Sequence, residues 1–268
     1  MTAFVNFALL VVPGSTWDRP PFPDSRGTSL RMRASSDGPK GMAQLVIKEV
    51  DRRKWDPQPD ARFYTQPRFV QHVDDGFRER LTSLYDDLLF SSAEGEREGS
   101  CRILDLMSSW VSHLPKNRSF TCVGLGMNED ELRKNPQLSE HVVSDINGRP
   151  TLPFEESSFD AVICAVSVQY LVFPEKIFAE VHRVLKKDGV AIFSFSNRMF
   201  GQKAISAWLE RDDESRVSLV RSYFDCVLLN EPGRPPAFSS PSVIKEKGSW
   251  LNLVFGGDPF FAVYARKK

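Results

Sequence analysis

Apolar side chains recur every three or four positions through Val70, Val73, Phe77, Leu81, Leu84 and Leu88, which predicts one buried helix face. Pro67 suits the first turn of that helix, and the polar run Ser91 to Gly99 ends it. The pattern then changes to short apolar runs. Residues 101–106 (CRILDL), 119–125 (SFTCVGL), 141–144 and 159–166 (FDAVICAV) read as strands. A short helix is expected over 107–114, stopped at Pro115. Another opens at Asn128 as N-cap, with Glu131 reaching back to complete a capping box. The stripe Ile177, Phe178, Val181, Val184 and Leu185 marks a helix that begins at Pro174. Lys186 and Lys187 sit at its negative end and Gly189 is its stop. Residues 190–196 form a fifth strand, helices cover 202–210 and 214–224, and 230–241 is a Pro-rich loop. Residues 250–255 and 260–265, joined through GGDP, read as a closing antiparallel hairpin.

Strand–helix alternation predicts an α/β, doubly wound fold with parallel strands and right-handed crossovers. The nearly continuous apolar strands fit a sheet covered on both faces. Ligands bind such sheets beyond the carboxyl ends of the strands, where the strand order reverses, so the residues that follow the strands are the ones to inspect. The chain divides into an N-terminal extension (1–43), a lead-in with a lid helix (44–100) and the main domain (101–268).

Composition narrows the functions. Thirty-five basic residues balance 35 acidic ones, so no global field recruits nucleic acid or an anionic membrane. The longest apolar run, residues 3–12, is half the length of a membrane span, which needs about 20 residues. The Pro-, Ser- and Arg-rich stretch after it suits an organelle transit peptide, with a disordered extension as the alternative. Its RMRAS resembles a plastid processing site, so a chloroplast location is expected and the cytoplasm is the alternative. Four cysteines argue against a disulfide framework. His72, His113, His141 and His182 lack metal-ligand spacing, so no metal site is expected. No G-x-G-x-x-G or Walker pattern follows the first strand, which disfavours a nicotinamide-dependent oxidoreductase.

Residues 152–197 carry a Leu-Pro-Phe turn and an acid-Ser-Phe-Asp turn into the fourth strand. A Pro-led helix ending Arg-Val-Leu-Lys follows, then a Gly turn into the fifth strand. In this order and spacing the chain resembles the type 11 group of class I S-adenosylmethionine-dependent methyltransferases. FYTQPRFVQHVDD, ILDLMSSWVSHLP and SFSNRMF resemble a subgroup of plants, algae and cyanobacteria. The resemblance implies a Rossmann-like, seven-stranded, mostly parallel sheet with a C-terminal antiparallel hairpin. It also implies S-adenosylmethionine as cofactor and a small-molecule acceptor, taken here to be partly apolar.

By that resemblance Asp105 orients the cofactor's amino group, Ser108 and Ser109 donate to its methionine end, and Asn128 takes a ribose hydroxyl. Asp145 and the Ile146 N–H hold the adenine, Ala165 and Val166 flank the sulfonium, and Gln169, Arg198 and Trp208 face the acceptor. Tyr64, Gln66, Arg68 and His72 belong to the lid, with Arg68 and His72 on one face of its helix, and Tyr170 and His72 are the candidate bases. Two departures stand out. Met107, Ser109 and Val111 replace the three glycines of the first motif, and Gly126 replaces the acid that grips the ribose. They give weight to a rival reading, a non-catalytic binding module on the same fold, which holds if Met107 or Trp110 fills the cofactor's space.

Overall fold

A computed structural model describes residues 42–90, 101–231, 233–246 and 257–268. Residues 1–41 of the extension and the hairpin strand expected at 250–255 lie outside these residues. In chain order the elements are β1 (Met42–Ala43), a 3-10 turn (Glu49–Arg52), α1 (Asp60–Phe63), α2 (Asp75–Phe90), β2 (Cys101–Leu106) and β3 (Phe120–Gly126). Then come α3 (Glu129–Lys134), β4 (Glu140–Val143), β5 (Phe159–Ala165), a 3-10 turn (Val168–Tyr170), α4 (Pro174–Val184) and β6 (Leu185–Phe195). The remainder is α5 (Ser206–Leu209), α6 (Asp213–Asp225), β7 (Val227–Leu228), β8 (Ser242–Glu246) and β9 (Phe260–Arg266).

Seven strands form one sheet in the order β4-β3-β2-β5-β6-β9-β8. β4 through β6 run parallel, and β9 is antiparallel to both β6 and β8. The chain steps outward from β2 to β4, then returns to start β5 on the other side of β2. That reversal leaves a crevice at the carboxyl ends of β2 and β5. The strands feed two cores. Leu104 and Leu106 pack with Phe178 and Val181 of α4 and Val220 and Phe224 of α6. Ile103 and Ile163 pack with Phe77, Leu81, Leu84 and Tyr85 of α2. Each large apolar side chain so buried contributes roughly 1.5–3 kcal/mol.

Three local expectations are corrected. The helix foreseen from Pro67 starts at Asp75, because Asp74 is the better cap: its Oδ1 accepts from Phe77 N at 2.7 Å. Arg68 and His72 therefore lie on irregular chain and share no helix face. Residues 107–114 form no helix. Met107 is left-handed (φ 60°), Ser108 N donates to Leu125 O at 2.8 Å, and the Ser108 and Ser112 hydroxyls both donate to Asp105 Oδ2. Finally, Asn128 caps α3 by accepting from Glu131 N, but the Glu131 carboxylate does not reach back. It accepts from Arg68 N at 2.6 Å and Ser109 Oγ at 2.7 Å.

Candidate functional site

A cleft opens at the carboxyl ends of β2, β3, β4 and β5. Met107, Ser108 and Ser109 form one wall, Gly126 to Asn128 and Glu131 the floor, and Ser144 to Asn147 the far end. Val166, Ser167, Tyr170 and Arg198 to Phe200 face them, and Asp60, Tyr64, Arg68 and His72 of the lead-in close the top. The lead-in is held there by polar contacts. Asn128 Nδ2 donates to the carbonyls of Tyr64 and Thr65, at 2.8 and 3.2 Å. Asn147 Nδ2 donates to Asp60 Oδ2 and Tyr170 O. Lys203, fully buried, pairs with Asp56 and Asp60 at 2.8 and 3.3 Å.

The floor explains the missing acid. A Cβ on Gly126 would lie 2.2 Å from Ser108 O, so no side chain of any kind fits there while the loop after β2 sits this close. The loop itself keeps the left-handed backbone that glycine usually supplies, with Met107 bearing the strain. Val166, a β-branched residue at φ 51°, is strained as well. Its N donates to Ser194 O and its carbonyl accepts from Gln169 Nε2 at 2.7 Å.

Of the residues expected to touch ligand, Ser108, Ser109, Asn128, Asp145, Ile146, Val166, Tyr170, His72 and Arg198 line the cleft. Asp105, Ala165, Gln169 and Trp208 do not. The Asp105 carboxylate is buried among the Ser108 and Ser112 hydroxyls, and burial pushes its pKa up to about 6. It pins the loop through these two hydroxyls. Ala165 pairs with Ser194 inside the sheet. Gln169 is buried against its own turn, and Trp208 packs edge-on to Phe195 at 5.0 Å. Asn128 has both amide hydrogens committed to the lead-in, so its amide is not free to donate to a ribose.

Asp145 Oδ1 accepts from Asn147 N and Gly148 N, which leaves Oδ2 without a hydrogen bond among the described residues. Tyr170 OH accepts from Phe200 N at 2.8 Å, and burial pushes its pKa up to about 12. His72 stands edge-on to Phe200 at 5.4 Å, and burial lowers its pKa, which keeps the imidazole neutral at pH 7. Arg198 is paired with Asp258 at 2.6 Å. Trp110 points away from the cleft, donating to Val70 O and contacting Phe69, while Met107 lines it. Glu131 was missed as a site residue because its place in the capping pattern already explained it. Among the described residues no group of His, Cys, Asp or Glu is placed to hold a metal ion, and no helix is long and apolar enough to cross a membrane.

This sheet order, with its cleft at the strand reversal, is that of a Rossmann-like α/β domain. Residues 108–193 match the methyltransferase domain family. Over that segment the chain is similar to the class I S-adenosylmethionine-dependent methyltransferases, whose cofactor is S-adenosylmethionine. It is 28% identical over 171 residues to the rice 2-methyl-6-phytyl-1,4-hydroquinone methyltransferase 2, chloroplastic, covering 56% of this chain and 47% of that protein. It is 37% identical over 76 residues to the biotin biosynthesis bifunctional protein BioHC of Saccharophagus degradans, covering 28% of this chain and 13% of that protein. The chain thus spans less than half the length of either curated relative. A solved S-adenosylmethionine-dependent methyltransferase from Mesorhizobium loti superposes with a TM-score of 0.41 at 18% identity, over 63% of this chain and 92% of that one.

The residues present fit this cofactor with a changed donor set. Asp145 keeps a carboxylate oxygen with no hydrogen bond among the described residues at one end of the cleft, and Glu131 supplies a buried carboxylate on its floor. Arg68 Nη1 is a buried donor with no acceptor, in a residue that lines the same cleft.

Proposed function

We propose that this chain transfers a methyl group from S-adenosylmethionine to a partly apolar, ring-bearing small molecule. The observation that carries the reading is the cleft at the strand reversal. It joins the Asp145 and Glu131 carboxylates to an aromatic wall under a lead-in pinned at both ends. In this reading Asp145, Ile146 and Glu131 hold the nucleoside, and Val166 and Tyr170 border the reacting end. When bound, the cofactor supplies an already activated methyl electrophile, so no covalent protein intermediate is required. The protein's task is alignment and exclusion of water. The Tyr64 and Phe200 rings and the Met199 side chain give the acceptor an apolar face.

His72 is the base. Its ring nitrogens hold no hydrogen bond among the described residues, and its lowered pKa leaves it ready to take a proton from an acceptor hydroxyl or carbon acid. Tyr170, with its raised pKa, orients the Phe200 turn. The rice relative's hydroquinone substrate makes a prenylated hydroquinone the first acceptor to test, and its chloroplast assignment favours a plastid location here. With methyl-labelled S-adenosylmethionine, the label should enter the organic-soluble acceptor. His72→Ala should slow transfer by about 100-fold or more. The natural chain should hold its rate to a lower pH than an exposed imidazole would allow, because burial lowers the His72 pKa. Label found only in protein or nucleic acid would overturn the acceptor class. An undiminished rate in His72→Ala would remove the base.

A further inference from the structure

The Arg68 guanidinium lies over the Phe63 ring at 4.3 Å, the Phe200 ring at 5.5 Å and the Tyr64 ring at 5.9 Å. Its Nη2 donates to Phe63 O at 2.9 Å, while Nη1 is buried and has no acceptor among the described residues. No carboxylate pairs with it among the described residues, although its own backbone N–H binds Glu131. A half-buried guanidinium is normally paired, and an orphaned buried donor is costly. The guanidinium therefore keeps one unused donor, in a residue that lines the cleft, to offer to an anion. The other cleft-lining guanidinium, Arg198, already has Asp258.

The loop after β2 has lost its usual equipment for an anion. It contains no helix whose first N–H groups converge, and Ser108 N is committed to Leu125 O. The Ser108 hydroxyl is committed to Asp105 and the Ser109 hydroxyl to Glu131. We infer that Arg68, from the lead-in, anchors the aminoacyl carboxylate of the cofactor in place of the glycine loop. This rests on the cofactor reading above. It also ties cofactor binding to closure of the lead-in, because the residue that grips the ligand lies on the segment that Asn128 and Glu131 hold down.

Two probes separate the claims: S-adenosylhomocysteine, which carries the carboxylate, and 5′-methylthioadenosine, which shares the nucleoside and lacks the amino-acid arm. Calorimetric titration of the full chain should show both binding. Arg68→Met should weaken S-adenosylhomocysteine by roughly 10- to 100-fold and leave methylthioadenosine unchanged. That unchanged affinity also shows that the variant is folded. Arg68→Lys should recover part of the loss, since it restores the charge without the fork. An equal loss for both probes, or no loss for either, overturns the role of Arg68 while the cofactor reading stands. Failure of the natural chain to bind either probe overturns both.

Discussion

Met107 and Gly126 exchange the properties expected of them. Met107 holds a left-handed backbone (φ 60°) at a position where glycine would be unstrained. Gly126 occupies the place of a ribose-binding acid because the Ser108 carbonyl leaves no room for a Cβ. The two belong to one arrangement, in which the loop after β2 lies against β3. Gly126→Ala should therefore destabilise by about 1–3 kcal/mol. Met107→Gly should be nearly neutral, since relief of roughly 1–2 kcal/mol of backbone strain offsets lost packing and the entropy of a new glycine. Urea midpoints of the two variants check this, and equal losses would contradict it. Asp105 gives a pH signature. Burial raises its pKa from 3.8 to about 6, so between those values the native state holds its proton more tightly than the unfolded chain. Its contribution to stability should decline as pH rises through that window and level off above it. Asp105→Asn should remove the decline, as urea midpoints across the window would show.

At the scale of elements, the lead-in is a strap more than a helix. Glu175 of α4 fixes its start: Oε1 accepts from Val46 N at 2.9 Å, Ile47 N at 3.2 Å and Arg52 Nη2 at 2.9 Å. Oε2 takes Arg52 Nη1 at 3.0 Å. Both side chains are buried, so Glu175→Ala strands a guanidinium and should cost about 3–5 kcal/mol. Amide exchange should quicken first over residues 46–53 while the central strands stay protected. Uniform acceleration would show that the strap and the sheet open together. These contacts mark the limit of what the sequence reveals. The strands and α4 are legible because their burial follows a period. The start of α2 is not, since Val70 and Val73 continue the helical spacing on chain that is not helical. The loss of the 107–114 helix is equally hidden, because it depends on Ser108 and Ser112 meeting Asp105 and on Leu125 from another strand. In the site, Asp145, Val166 and His72 follow from strand ends and the lid. Glu131 and the free Arg68 nitrogen become visible only when the strap meets α3.

For the whole molecule, the fold alone does not decide the chemistry, because one architecture hosts many activities. The altered loop favours a non-catalytic module on the same fold, and the lining of the cleft favours the proposed cofactor site. Trp110 is not among the cleft's lining residues, Met107 borders it at the carboxyl ends of the strands, and it is lined by carboxylates and by a guanidinium with no carboxylate partner among the described residues. The central claim is that this cleft still binds an adenosyl cofactor. Calorimetric titration of the full chain with S-adenosylhomocysteine tests it most directly. The account predicts saturable binding with a Kd between about 1 μM and 1 mM, the range in which enzymes commonly work. No heat of binding with ligand well above about 1 mM would contradict it.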